Sequence, residues 1–179
     1  VTFQGIDFSL APYPDDTRSI GAALEQLGLS AFGNSGSLLA AAFLTDALDR
    51  ADFTRTGFCG LMLPVLEDSR LAQRAAEGIL HVSDLLVYSA VCGTGLDTIP
   101  LPGDISQDRL AATLMDMSAL ALRLDKPLTA RFMPLPGKQA GDQVIFDFEY
   151  FANSRVMDIS GGAISGLLTT SKSLDIHPR

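Results

Sequence analysis

The sequence predicts an α/β fold built as one domain, and three observations carry that expectation. Short apolar runs bounded by glycine and proline recur along the chain, and stretches with recognisable helix caps separate them. The 179 residues are enough for one substantial core. No linker, internal repeat or low-complexity tract divides the chain, so residues 1–179 read as a single domain.

Thr2–Leu10 alternates as a strand does, and Pro12 and Pro14 end it. Asp16 or Thr17 caps a helix over Arg18–Leu27, which Gly28 closes. Asn34 and Ser35 cap a second helix running to Arg50; it is apolar almost all round, the mark of a buried helix. Gly57–Pro64 reads as a buried strand end, and Asp68 caps a helix through Gly78. Leu85–Cys92 is the next strand candidate, although periodicity alone also permits a helix there. Ser106 caps the clearest helix, Gln107–Asp125, with Leu110, Leu114, Met117, Ala121 and Leu124 on one stripe. Leu128–Met133 is a strand, Pro134–Gly141 a long turn and Gln143–Tyr150 a half-exposed strand or hairpin arm. Beyond Asn153 only the Gly161-Gly162 turn is legible.

Composition removes several classes of function. The net charge is −8 with no basic stripe, which excludes a broad nucleic-acid footprint. No apolar run reaches the roughly 18–20 residues of a membrane span, and no signal peptide is visible. Cys59 and Cys92 form neither a CxxC nor a disulfide framework, so free thiols in a reducing cytoplasm are expected. The chain starts at Val1 and reads as a fragment or a processed product.

The most informative stretch is Tyr88–Asp104, YSAVCGTGLDTIPLPGD. An apolar run delivers Cys92 into a turn holding Gly93 and Gly95, and Asp97, Thr98 and Asp104 follow. Asp7, Glu67, Asp68, Asp97 and Asp104 each stand near an expected strand end or helix start. Carboxylates converging there admit a divalent cation, whereas helix capping is the competing reading for Asp68 and Asp104. His81 and His177 are too few and too far apart for a zinc site. Cys92 lacks a neighbouring base, so a packed thiol competes with a catalytic one. Arg131 and the glycine-flanked Lys138 are candidates to hold a small anion, against a plain surface hairpin for Lys138. No P-loop spacing supports nucleotide binding.

The runs GIDFSLAP (5–12), GLMLPVLED (60–68), YSAVCGTGLDTIPLPGD and TARFMPLPGKQAGD (129–142) together resemble an uncharacterised family catalogued as domain of unknown function 711. The resemblance covers essentially the whole chain and places it in the C-terminal half of a longer protein. It implies a fold related to the pyruvate formate-lyase-like β/α barrel, in which a loop enters the barrel and a cysteine on that loop relays a radical. Cys92 is the analogous position, but the glycyl-radical motif is absent: Ser154-Arg155-Val156-Met157-Asp158 has no glycine where one is needed.

The expectation is therefore a cytoplasmic small-molecule enzyme with its site at the barrel centre. Cys92, Asp97 and Thr98 are its catalytic candidates, and Asp7, Ser9, Thr94, Arg131 and Lys138 its substrate-binding ones. No resident cofactor is expected beyond the optional divalent cation. The expected partner is the missing N-terminal half or a second copy of the chain, because half a barrel leaves open edges. The alternative is a non-catalytic metabolite-binding, structural or regulatory module.

Overall fold

The computed structural model describes residues 1–170, 173 and 175–179. The protein is mixed α/β, with four extended segments side by side in chain order, every pairing parallel. Ile6 pairs with Arg55 and Leu10 with Leu61, Pro64 pairs with Asp97, and β1 (Gly95–Pro102) pairs with β2 (Thr129–Leu135). The first two segments are joined by isolated bridges only, such as Leu10 N to Gly60 O at 2.9 Å and Met62 N to Leu10 O at 3.2 Å.

Helices make the crossovers that parallel strands require. The helices α1 (Ile20–Gln26) and α2 (Ser37–Asp49) link the first segment to the second. Then α3 (Ser69–Ala76) and α4 (Val82–Tyr88) lead into β1, and α5 (Gln107–Leu124) joins β1 to β2. A two-residue antiparallel pair, β3 (Gln143–Val144) and β4 (Ser154–Arg155), and the short α6 (Leu167–Thr170) follow. The core lies between sheet and helices: Leu61, Leu63, Leu96, Ile99 and Leu101 meet Leu24, Leu71 and Leu85, all essentially sealed from water. Each such side chain stabilises the fold by about 1.5–3 kcal/mol.

Asp68 and Ser106 cap α3 and α5, as their spacing predicts; Ser106 Oγ accepts from Arg109 N at 3.3 Å. The first helix differs. Asp15 spends its carboxylate on Thr17 and Arg18, which makes residues 15–18 a turn, and Ser19 becomes the cap by accepting from Ala22 N at 2.9 Å. The second starts at Gly36, in the left-handed region at φ 103°, instead of at Asn34 or Ser35.

Two elements depart further from expectation. Leu85–Cys92 is no strand: Asp84 accepts from His81 N at 2.9 Å and starts α4, which buries Val82, Leu85 and Tyr88 at a spacing of three. The strand begins instead at Gly95, inside the expected turn, and all eight residues of β1 are buried. Pro100 and Pro102 deprive a strand only of their missing N–H groups, and the Pro100 carbonyl still accepts from Met157 N at 2.8 Å. Only Gln143–Val144 of the expected 143–150 strand pairs; beyond it, Phe146, Phe148, Tyr150 and Phe151 pack ring against ring, and Tyr150 meets Tyr13 edge-on at 5.8 Å.

A half-buried ion pair ties α1 to α3. Glu25 accepts from Arg74 Nε at 2.7 Å and from Phe32 N at 2.8 Å. Burial pushes the Glu25 carboxyl up, but the Arg74 and Phe32 hydrogen bonds outweigh it and hold the carboxyl below its ordinary 4.5. A carboxyl depressed on folding stabilises the protein above its unfolded value and loses that contribution as pH falls through the folded one. The stability gap between wild type and Glu25→Gln is therefore expected to be full near about pH 7 and to shrink below about pH 4.5. Denaturant titrations of both proteins across that range measure it, and a gap independent of pH would contradict it.

Candidate functional site

Asp97 and Thr98 sit at an irregularity in the β1–β2 ladder. Leu96 pairs with Ala130 and Ile99 with Phe132, so two residues of β1 stand opposite one residue of β2, Arg131. This is a β-bulge, which locally re-aims side chains. Thr98 takes the strain, at φ 47°, a region that a β-branched residue rarely adopts. Its hydroxyl accepts from Leu66 N at 3.1 Å, and Val65 N donates to the Asp97 carbonyl at 3.0 Å. The bulge is thereby locked to the second segment.

The consequence is a carboxylate–guanidinium–carboxylate cluster across three neighbouring segments. Asp97 is 3% exposed and its Oδ1 accepts from Arg131 Nε. Glu67, just past the end of the second segment, accepts from Arg131 Nη2 at 2.8 Å. The Asp97 hydrogen bond, opposed by burial and reinforced by the charges of Asp97 and Glu67, holds the guanidinium still more firmly protonated than usual. The Arg131 side chain remains 51% exposed, and Nη1 has no hydrogen-bond partner among the described residues. With Nε held by Asp97 and Nη2 by Glu67, Nη1 is left to donate a charge-assisted hydrogen bond to a carboxylate or phosphate. Glu67 supplies a partly accessible carboxylate beside it.

The structure brings Asp97, Thr98 and Arg131 together and places the other named residues elsewhere. Asp7 accepts from Ser9 Oγ at 2.6 Å, Cys59 N at 3.0 Å and Phe58 N at 3.3 Å, so both residues hold the 57–59 turn. The Ser9 hydrogen bond, then that from Cys59 N, keeps the Asp7 carboxyl below its ordinary value. Gly57 is required opposite it, because a Cβ there would stand 2.2 Å from Asp7 Oδ2. Thr94 is buried where β1 begins; its carbonyl accepts from Thr129 N at 2.7 Å, and its hydroxyl has no partner among the described residues. Lys138 lies past the end of β2, donates to Gln143 O at 3.1 Å and lines a separate cavity of about 640 Å³ with Asp142 and Phe146.

Cys92 is also apart from Asp97. It is buried, accepts from Gly95 N at 3.4 Å and faces a cavity with Lys126 before β1 starts. Cys59, within the expected buried strand end Gly57–Pro64, is only partly buried and borders the same cavity. The five carboxylates do not converge: Asp68 serves α1 and α3, and Asp104 accepts from Gln139 Nε2 at 3.0 Å. Among the described residues no three His, Cys, Asp or Glu side chains are grouped to hold a metal ion. No helix among them is long and apolar enough to cross a membrane.

Glu67 is the site residue that sequence reasoning underweighted. It was visible only as one acid among five, and its pairing with Arg131 spans 64 positions. The signal lay in the register of neighbouring strands, which residue types alone do not reveal.

Comparison with known proteins bears on all of these residues, because the family model described as Uncharacterised ACR (DUF711) matches residues 1–153. The chain belongs to the DUF711 family. A UPF0210 protein of Pyrobaculum arsenaticum is 43% identical over 146 residues, which are 79% of this chain and 33% of that protein. UPF0210 proteins of Lacticaseibacillus casei and Oleidesulfovibrio alaskensis are each 34% identical over 90% of this chain and 36% of their own length. The matched part thus spans about a third of these DUF711 relatives, and it contains every member of the Asp97–Arg131–Glu67 cluster.

Proposed function

We propose that this DUF711 chain contributes the binding site of a cytoplasmic small-molecule enzyme, with Arg131 as the anchor for an anionic substrate group. The observation that carries the reading is the bulge that sets Asp97 and Thr98 against Arg131 while one edge of the guanidinium stays open. Backbone strain of this kind is retained where the surrounding structure fixes it, and it concentrates at functional sites. Asp97 orients the guanidinium from the buried side, and Glu67 is the group placed to exchange a proton with a bound substrate.

The cluster's setting is, in this proposal, the interior of a pyruvate formate-lyase-like barrel. Four parallel segments in chain order with helical crossovers support it, since a β/α barrel uses that order. The rest of a longer protein, or a second copy, covers the edges. Exposed Phe3, Ile6, Phe8 and Phe58 on and beside the first segments support this, as does the length of the relatives. The alternative, a non-catalytic metabolite-binding module, draws on a different fact: the Thr98 hydroxyl and the Asp97 carboxylate already have structural partners.

Native mass spectrometry after exposure to a deproteinised cell extract tests the anchor. The wild-type protein is expected to retain a small anionic adduct that Arg131→Gln loses by at least about tenfold. An adduct held equally by both proteins would remove Arg131 from the site. Retention of the compound without any turnover would favour the module over the enzyme, and turnover that survives Glu67→Gln unchanged would remove Glu67 from the proton-exchange role.

A further inference from the structure

A second cavity stands apart from the Asp97 cluster. Cys59 and Cys92 each precede a glycine, and those glycines meet backbone to backbone: a Cβ on Gly60 would lie 2.8 Å from Gly93 Cα. No other residue type fits this contact, which sets the two Cys-Gly turns side by side. They form one wall of a cavity of about 430 Å³, bounded on other sides by Thr45 of α2 and by Lys126 and Pro127 before β2. That volume lies at the small end of ligand pockets.

Its charge pattern is specific. The acids at its border are already matched: Asp49 accepts from Arg55 Nη1 at 3.0 Å, and Arg50 Nη2 lies 2.8 Å from Asp46. Lys126 is half-buried and donates to Ser89 O at 3.1 Å, and no carboxylate among the described residues lies within ion-pair distance of it. Burial pushes its ammonium below the ordinary lysine value, with nearby Cys92 and Asp49 opposing that shift. On the α2 wall, Thr45 Oγ1 is buried without a hydrogen-bond partner among the described residues. A half-buried ammonium with unused donors and an orphaned hydroxyl are the groups a small oxyanion satisfies. With those acids matched, the single ammonium of Lys126 balances a singly charged anion better than a polyanion such as a phosphate ester.

We propose that this cavity binds a small monocarboxylate, with Lys126 Nζ on the carboxylate, Thr45 Oγ1 as a second contact and the two cysteines as its wall. Iodoacetate, itself a small monocarboxylate, is the probe, and neutral iodoacetamide is the control. In either reaction the cysteine sulfur forms a bond to the CH₂ carbon, the C–I bond breaks with its electron pair leaving on iodide, and the thiol proton passes to solvent. Peptide mass spectrometry reads Cys59 and Cys92 separately.

The ratio of iodoacetate to iodoacetamide rates at the reacting cysteine is expected to fall about tenfold in Lys126→Gln and to recover in Lys126→Arg. An unchanged ratio in folded Lys126→Gln protein would overturn the proposal. So would failure of iodoacetate to label either cysteine of the folded wild-type protein. If Lys126→Gln does not fold, competition decides: acetate protects the wild-type cysteines from iodoacetate where equal chloride does not, and absence of protection overturns the proposal.

Discussion

Replacing Asp68 with alanine is expected to destabilise the protein by more than about 4 kcal/mol, the largest effect of any single polar substitution here. Asp68 is fully buried, and its two oxygens accept five hydrogen bonds. Arg70 N and Leu71 N, at 2.9 and 3.0 Å, belong to the first turn of α3, which Asp68 caps. Ile20 N and Gly21 N, at 2.7 and 3.1 Å, belong to the first turn of α1, and Ser19 Oγ donates at 2.6 Å. One carboxylate therefore answers the free N–H groups and the positive ends of two helices at once.

Alanine leaves four backbone donors and a hydroxyl without a partner in a site that water does not reach, at about 1–3 kcal/mol each when unsatisfied. Asparagine keeps the shape but turns one acceptor into a donor, so Asp68→Asn is expected to fall between wild type and alanine. Denaturant unfolding of the three proteins gives the order. A loss below about 1.5 kcal/mol for alanine would mean that the two helix ends do not depend on this carboxylate.

The second large effect is expected at Gly95, where β1 begins. Its φ is 112°, and a Cβ there would stand 2.4 Å from the Thr129 carbonyl oxygen. Gly95 pairs with Thr129, so the clash is with the partner strand's backbone and no flexible side chain can relieve it. Gly95→Ala is expected to cost about 3–5 kcal/mol, combining backbone strain with displacement of β2. Gly28 is the control, because its φ of 114° is nearly the same while nothing lies within 4 Å of its would-be Cβ. Gly28→Ala should cost only the strain, about 1 kcal/mol. Thermal unfolding of both variants measures the difference, and equal losses would contradict the close approach of β1 to β2. The displacement also reaches the site, since Asp97 and Arg131 stand two residues further along these strands.

What the sequence made legible was chiefly local. Asp68 and Ser106 announce helix starts because a cap acts within three residues of itself. Asp68's second role lies 47–49 positions away in the sequence, and no local pattern encodes it. Leu85–Cys92 was ambiguous because a short apolar run carries the same signal in a buried strand and a buried helix. The structure resolves it through His81 and Asp84, whose reciprocal position is a helix-start signal that could have been read. The strand β1 was hidden for the opposite reason: Gly95, Pro100 and Pro102 read as turn residues, yet the glycine serves a close strand approach and the prolines need only give up N–H groups.

The site was legible to the same degree. Asp97, Thr98 and Arg131 were identifiable as polar groups within apolar strands, whereas their meeting depends on a bulge that only the β1–β2 register reveals. The glycine turn marks Cys92 as a candidate in the sequence, but α4 ends at Tyr88 and leaves the cysteine before the strand, on the Lys126 side.

A crystal structure of the full-length protein exposed to its own cell extract tests the central claim most directly. An anionic group bound in density against Arg131 Nη1, with the Asp97–Arg131–Glu67 arrangement intact, is the predicted result. A ligand seated elsewhere, with the Arg131 edge packed against another part of the chain, would contradict it.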